Sequence, residues 1–173
     1  MKKDRSSLRH DNAASCDWLN GDRHKKRDNR NRIYRCDNYT WQGVKAESYK
    51  QESGDWAAIV RQDLIGSKGE TPHFHLRYFE IAPGGYSSHE KHEHEHVVVC
   101  VRGNGTVRVG KKQHTVRHLD TVYIAPGSPH QLLNPYDEPF GFLCVVNAER
   151  DRPVPVSAKR KRPPASAQKS GQK

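Results

Sequence analysis

Short apolar segments separated by glycine and proline constrain the fold of this chain more than any other feature. Eight of them follow one another, at residues 57–61, 74–81, 97–102, 105–109, 113–117, 121–125, 130–133 and 140–146. The breaks hold turn-forming residues, at Pro83-Gly84-Gly85, Gly103-Asn104-Gly105, Gly110-Lys111-Lys112 and Pro126-Gly127-Ser128-Pro129. Short strands at such spacing are typical of an all-β sandwich or barrel. We predict an antiparallel jelly roll, whose two sheets leave room for a ligand cavity.

The two ends of the chain differ in composition from this region. Residues 1–37 carry 11 Lys and Arg against 6 Asp, and residues 151–173 carry 7 against 1, whereas residues 38–150 carry 12 against 13 acidic residues. The formal net charge of +10 therefore belongs to the ends. Such polar segments bury too little apolar surface to offset the entropy lost on ordering. We predict a flexible basic arm at 1–37, one domain at 38–150 and a disordered basic tail at 151–173.

A near-neutral domain argues against a basic nucleic-acid-binding fold. The basic run at 159–162 could contact RNA, but we interpret it as a solvated end. The cysteines, Cys16, Cys36, Cys100 and Cys144, form neither a zinc ribbon nor a disulfide framework. Cys100 and Cys144 are interpreted as small buried hydrophobic residues, with a catalytic thiol as the alternative. Neither a secretory signal nor an apolar stretch of membrane-spanning length is found in the sequence, so we expect a cytoplasmic protein without a membrane partner.

A run of alternating histidines and charged residues, Glu90-Lys91-His92-Glu93-His94-Glu95-His96, enters the third predicted strand. Side chains along a strand alternate between faces, so one carboxylate and three imidazoles share a face. These donors suit iron, manganese, nickel, copper or zinc better than magnesium or calcium. Spacing alone does not decide which of the four bind. His73 and His75 form another such pair, but the sequence places no further donor beside them.

The glycines around this run complete a motif that resembles the first motif of the cupin family. That motif reads Gly, five residues, His, any residue, His, three or four residues, Glu, six residues, Gly. Anchored on Gly84 and Gly103, it places the three ligand positions at Glu90, His92 and His96. Glu90 replaces the usual His. His96 replaces the usual Glu, and a His at this third position occurs in some small bacterial cupins.

A second stretch, at 119–134, resembles the second cupin motif, which reads Gly, five residues, Pro, any residue, Gly, two residues, His, three residues, Asn. Gly127, His130 and Asn134 stand in their places, whereas Leu119 and Ala125 replace the usual Gly and Pro. The resemblance covers residues 70–147. It implies a β-barrel with a divalent metal held by Glu90, His92, His96 and His130, with His94 as the alternative to Glu90. Asn134 is expected to fix the turn.

The resemblance also implies positions on the metal that are open to water or substrate. We expect a metal-dependent enzyme that acts on a small organic molecule, with dioxygenase-type oxidation favoured over isomerase or lyase chemistry. A non-catalytic protein that binds a small ligand is the alternative from another class. Candidates to line the pocket are Arg77, Tyr78, Tyr86, Tyr123, Gln131 and Phe142. Small cupins often pair through edge strands, so we also expect a homodimer.

Overall fold

The computed structural model describes residues 27, 28, 30–49, 57–150 and 154–156. These residues form thirteen strands and no helix: β1 Cys36–Asp37, β2 Thr40–Trp41, β3 Ala46–Ser48, β4 Ala57–Ile65, β5 Phe74–Tyr86, β6 Glu90–Lys91, β7 His96–Arg102, β8 Gly105–Val109, β9 Lys112–Val116, β10 Thr121–Ile124, β11 His130–Leu133, β12 Phe140–Asn147 and β13 Val154–Pro155. None of the described segments is a helix long and apolar enough to cross a membrane.

All eight predicted strands are present, with shifts at their ends. The prediction of an all-β fold is confirmed. Five strands were not predicted, namely β1, β2, β3, β6 and β13, and each has only two or three residues. Strands this short show no alternation of apolar and polar residues, and alternation is the signal by which a sequence reveals a strand.

Eleven of the strands form one antiparallel sheet that curls into a barrel. Its central path runs β10-β7-β12-β5-β11-β6-β13, with β4 beside β5 and the β8–β9 hairpin beside β11. The first part of β5 pairs with β12, and its last residue, Tyr86, pairs with Leu133 of β11. The two ends of β5 therefore lie in different walls of the barrel, which is the layout of the predicted jelly roll.

The break predicted at Pro83-Gly84-Gly85 is wrong, because β5 continues through it. Gly84 has a φ of +75°, a conformation that costs little only for glycine. Asn134 holds this kink from both sides: its backbone carbonyl accepts a hydrogen bond from Gly84 N at 2.8 Å, and its own N–H donates to Gly85 O at 2.9 Å. The glycines let the strand bend from one wall into the other.

An apolar core fills much of the barrel interior, and a second apolar cluster covers the outer face of the barrel. The interior core consists of Tyr49, Ile59, Phe79, Ile81, Val98, Cys100, Val107, Val116, Ile124, Leu132, Phe140, Phe142, Cys144 and Val146. On the outside, Trp41 and Tyr39 of the N-terminal hairpin pack on Tyr78, with ring centroids 4.8 and 6.2 Å from it. The N-terminal hairpin is thus part of the packed structure.

Parts of both predicted tails contact the barrel. Asp28 N donates to Gly69 O at 2.9 Å, and Arg32 pairs with Glu70 at 2.6 Å. At the other end, β13 pairs with β6, and Val156 N donates to His89 O at 2.9 Å. The rest of the arm and of the tail lies outside the described residues, as do Cys16 and the basic run at 159–162. The domain limits at 38 and 150 stay predictions.

Leu119 adopts a backbone conformation that favours glycine, at the position where the cupin motif has Gly. Its φ is +68°, and its side chain is 66% exposed. A left-handed conformation costs an L-residue about 1–2 kcal/mol, partly offset on substitution by the greater freedom of glycine in the unfolded chain. We expect Leu119→Gly to raise the free energy of unfolding by about 0.5–1 kcal/mol in urea titrations.

The matched control is Gly127→Ala. Gly127 has a φ of +70°, and a Cβ there would meet no atom within 4 Å, so the substitution adds backbone strain without a steric clash. It should destabilise the chain by about 1 kcal/mol. A Leu119→Gly variant no more stable than the wild type would show that Leu119 is not strained.

His75, on β5, should make stability depend on pH. Burial, and then the charges of Arg150 and Arg77, lower its pKa to about 4. In the unfolded chain the pKa is about 6.5, so the unfolded state takes up the proton first as pH falls. Stability is therefore lost between about pH 6.5 and 4. Because the ring is only partly buried, solvent screening weakens the effect, and we expect His75→Gln to reduce the loss of stability between pH 7 and 5 by about 1 kcal/mol in unfolding titrations. The control is His73→Gln, at an exposed position; an equal effect of both substitutions would contradict the assignment.

Candidate metal centre and its cavity

Three strands and one connecting stretch bring the predicted metal donors together. Glu90 lies on β6, His96 begins β7 and His130 begins β11. Strands β6 and β11 pair so that His130 stands opposite Glu90. The stretch between β6 and β7 holds His92, whose backbone carbonyl accepts a hydrogen bond from Gly127 N at 2.7 Å. The two motifs, distant in sequence, thus face each other across one end of the barrel.

The alternation predicted for the histidine run is present, although residues 92–95 do not pair as a strand. Glu90, His92, His94 and His96 are all buried, with between 3% and 7% of their surface exposed. Lys91 and Glu93 between them are exposed, and Glu95 is partly buried. The barrel interior therefore receives one carboxylate and three imidazoles from this run.

The buried donors form two overlapping groups. In one group Glu90 lies with His92 and His130, and in the other His92 lies with His94 and His96; within each group the candidate ligand atoms are no more than 4.8 Å apart. His92 belongs to both groups. Its ring is stacked 3.7 Å from that of His94, and the ring of His96 lies 5.3 Å from that of His130. Glu90 and His94 thus each form a donor group with two of the other three, Glu90 with His92 and His130, and His94 with His92 and His96.

Hydrogen bonds orient these side chains. His92 Nδ1 lies 2.7 Å from the carbonyl of His94, and His130 Nδ1 lies 2.9 Å from that of Ser128. A carbonyl can only accept, so Nδ1 carries the proton in each ring and the Nε2 lone pair is available to a metal. Ser88 Oγ donates to Glu90 Oε2 at 2.7 Å. His96 Nε2 is buried without a hydrogen-bond partner among the described residues. These features fit a divalent cation.

Burial keeps two of the imidazoles neutral. It holds the pKa of His96 well below its usual range, and the charge of Arg77 lowers it further. Burial also lowers the pKa of His130, against the opposing effect of its hydrogen bond to Ser128. Because only the neutral ring offers a lone pair, these two histidines are prepared for metal binding at neutral pH.

A cavity of about 50 Å³ lies beside these donors. Its polar side includes Glu90, His96, His130, Arg77 and Cys144. Arg77 Nη2 donates to Cys144 Sγ at 3.5 Å, and Cys144 Sγ lies 3.4 Å from His96 Nδ1. The guanidinium of Arg77 also lies 5.2 Å from the ring centre of Phe79. A buried cation, a buried thiol and a donor group for a metal therefore share one small space.

Only some of the predicted lining residues reach this cavity. Arg77 and Phe142 line it. Tyr78 instead packs against Trp41 on the outer face, and Tyr123 is 62% exposed. Tyr86 and Gln131 are partly buried and are not part of its wall. These differences follow from the face of the strand on which each residue lies, which the sequence left open.

The sequence interpretation missed Cys144 and Tyr49 as lining residues. Cys144 lies two residues after Phe142 on β12, and the two side chains share a face. The spacing of two residues was therefore the sequence feature from which Cys144 could have been predicted to line the cavity. Tyr49 reaches the cavity from the segment after β3, where no pattern marked it. Cys100 is buried as expected, and its thiol donates to Gly103 O at 3.5 Å.

Two further predictions concern Asn134 and the His73–His75 pair. The side chain of Asn134 donates to Ile81 O and Glu138 O, both at 2.8 Å, and accepts from Tyr136 N at 3.1 Å. Its predicted role in fixing the turn is confirmed. Among the described residues, neither member of the pair belongs to a group of candidate metal donors.

Comparison with known proteins gives consistent matches. A sequence model of the cupin domain matches residues 77–146. A protein named 1-methylthio-D-xylulose 5-phosphate methylsulfurylase, from Rhodospirillum rubrum, is 45% identical over 122 residues, which are 69% of this chain and 77% of that protein. A cupin-2 domain structure from the same organism is 41% identical, covers 72% of this chain and 83% of its own, and has a TM-score of 0.64. A cupin 2 conserved barrel domain protein from Rhodopseudomonas palustris is 39% identical over 68% of this chain and 81% of its own, with a TM-score of 0.64.

Proposed function

Since this chain belongs to the cupin family, we propose that it is a metal-dependent enzyme that breaks the carbon–sulfur bond of a methylthio ketose phosphate. The observation that carries the proposal is the buried thiol of Cys144 in the same cavity as the metal donors. The name of the Rhodospirillum rubrum relative supports the substrate class, because it specifies a methylthio group on a phosphorylated ketose.

The proposed metal ligands are Glu90, His92, His96 and His130, with His94 as the alternative to Glu90. One carboxylate with imidazoles suits iron, manganese, nickel, copper or zinc. Bound there, such an ion would act as a Lewis acid that polarises a carbonyl oxygen and stabilises negative charge developing on it.

The hydrogen bonds around Cys144 support its role as the nucleophile. If Nε2 of His96 faces the metal, the neutral ring carries its proton on Nδ1 and donates it towards Cys144 Sγ. Arg77 Nη2 donates to the same sulfur. Two donors, one of them cationic, therefore face the sulfur, and a thiolate is the form of cysteine that attacks.

In the proposed step the Cys144 thiolate attacks the sulfur of the methylthio group. A sulfur–sulfur bond forms, the bond from sulfur to C1 of the ketose breaks, and its electron pair stays with the sugar as an enolate. Protonation of that carbon gives the 1-deoxy ketose phosphate. Cys144 is left as a methyl disulfide, oxidised by the two electrons that the carbon gained. A second, small thiol then restores the Cys144 thiol by exchange and leaves as its own methyl disulfide.

The test is to load the full chain with each candidate metal and supply 1-methylthio-D-xylulose 5-phosphate with 2-mercaptoethanol. Phosphorus NMR and mass spectrometry should show the 1-deoxy ketose phosphate and the methyl disulfide of the thiol in equal amounts. If every metal-loaded form leaves this substrate unchanged, the proposed reaction is wrong.

Dioxygenase-type oxidation, which the sequence favoured, stays a prediction. It is supported by the imidazole-rich donor group, which suits redox-capable iron or manganese. An oxygen electrode in the same assay separates the two reactions, because the carbon–sulfur cleavage uses no oxygen. A product that keeps both the methylthio group and its mass would point to the predicted isomerase alternative, and binding without any product to the non-catalytic one.

The predicted homodimer is also part of this proposal. On the path through the described strands, β10 is a terminal strand that pairs with β7. It carries the exposed Tyr123 and follows the exposed Leu119. Exposed apolar residues beside an open strand edge support pairing with another copy. Sedimentation equilibrium of the wild type and of Tyr123→Lys measures this, and a monomeric wild type would exclude it.

A further inference from the structure

The cavity beside the metal donors has an apolar half that takes no part in the proposed bond cleavage. Six apolar residues form it: Tyr49, Ile59, Phe79, Val98, Leu132 and Phe142. Three of them are aromatic, and their rings contact one another in a row along one wall. The ring of Tyr49 meets that of Phe79 edge-on at 5.3 Å, and Phe79 stacks on Phe142 at 5.5 Å.

The volume of the cavity limits what enters it. A water-sized group occupies about 10–15 Å³ of such a cavity, so about 50 Å³ holds roughly three to five of these groups. A methylthio group and the carbon that bears it fit within that limit. A whole ketose phosphate does not, so its phosphate and most of its hydroxyl groups stay outside.

The chemistry of the wall limits what enters as well. A thioether sulfur is polarisable and makes favourable contacts with aromatic ring edges at about 5 Å. A hydroxyl group placed against the same rings would lose its hydrogen bonds to water. The wall therefore favours a small thioether over an alcohol of the same size.

We infer that the aromatic wall of Tyr49, Phe79 and Phe142 is the subsite for the methyl-sulfur end of the substrate and sets the preference for one carbon on that sulfur. This inference rests on the proposed function for the identity of the substrate. Cys144 lines the same cavity, so a thioether held there lies beside the attacking thiol. Tyr49 and Ile59 lie before the matched cupin domain at 77–146, so this part of the wall comes from outside it.

The experiment uses dimethyl sulfide, diethyl sulfide and ethylene glycol as probes of the full chain, with binding measured by saturation-transfer NMR. Wild type should bind dimethyl sulfide more tightly than either of the others. Phe142→Leu enlarges the cavity and should shift the ratio of the two sulfide affinities towards diethyl sulfide by about tenfold. The control is Phe74→Leu, at a residue 48% exposed and outside the cavity, which should leave the ratio unchanged.

Absence of dimethyl sulfide binding, or an unchanged ratio in folded Phe142→Leu, would overturn the inference. If that variant does not fold, Val98→Ile tests the inference instead, because it narrows the cavity and should weaken the binding of dimethyl sulfide. An unchanged affinity of Val98→Ile for dimethyl sulfide would then overturn the inference. The binding readout needs no turnover. Binding of dimethyl sulfide without cleavage of the methylthio substrate would support the subsite and contradict the proposed reaction. Equal cleavage of methylthio and ethylthio substrates would support the reaction and contradict the subsite.

Discussion

His92→Ala should lower the affinity of the chain for a divalent transition metal by at least about 100-fold, more than the loss typical of a residue that only supports a ligand. His92 is the one residue shared by both groups of donors, so its loss disrupts either arrangement. Its Nδ1 is held by the carbonyl of His94, which directs Nε2 to the site. Competition titration against a metal-sensitive chelator measures the affinity.

His73→Ala is the matched control, because His73 is exposed and belongs to neither group. It should leave metal affinity unchanged. Equal losses from His92→Ala and His73→Ala would mean that the proposed site is misplaced. Glu90→Gln and His94→Gln, measured in the same way, decide the fourth ligand: the larger loss identifies it.

Cys144→Ser should lower the rate of carbon–sulfur cleavage by at least about 1,000-fold, because removal of a nucleophile removes the covalent step. Metal affinity should be retained, since Cys144 is in neither donor group. Steady-state kinetics with the methylthio ketose phosphate measures the rate. Mass spectrometry of the wild type, quenched before the second thiol is added, should find one methylthio group on Cys144.

Cys100→Ser controls for the effect of a hydroxyl group in the core. Cys100 is as buried as Cys144 but does not line the cavity. Its substitution should leave cleavage intact in the folded protein. Full activity of Cys144→Ser would show that the Cys144 thiol is not the nucleophile. A methylthio group found on Cys100 instead would show that Cys100 is the nucleophile.

The strands were predictable because apolar residues and turn residues alternate along the chain on a local scale. The same local rule placed Glu90, His92 and His96 on the inside of the barrel, and burial of all three agrees with it. Strands of two residues were not predicted, because they are too short to show an alternation of apolar and polar residues. Among these, β6 carries Glu90 and β13 pairs with it, so part of the surroundings of the candidate site was not predictable.

The lining of the cavity was harder to predict, since it depends on which face each strand turns inward. Arg77 and Phe142 were named among six candidates, and four of the six lie elsewhere. Cys144 was interpreted as a packing residue, with a catalytic thiol as the less favoured alternative. Cys144 is 67 positions from Arg77 and 48 positions from His96 in the sequence, so no local sequence pattern predicts its contacts with them.

The sequence by itself determined the all-β class, the positions of the main strands and the two motifs that resemble those of cupins. These depend on neighbouring residues and on fixed spacing, which the chain carries in any conformation. Only the tertiary structure decided that His94 forms a donor group with His92 and His96 as Glu90 does with His92 and His130, that a thiol and an arginine line the cavity beside them, and that Tyr49 closes its wall. Those facts depend on which distant strands pair and in which register, because pairing is what brings their side chains into one small volume.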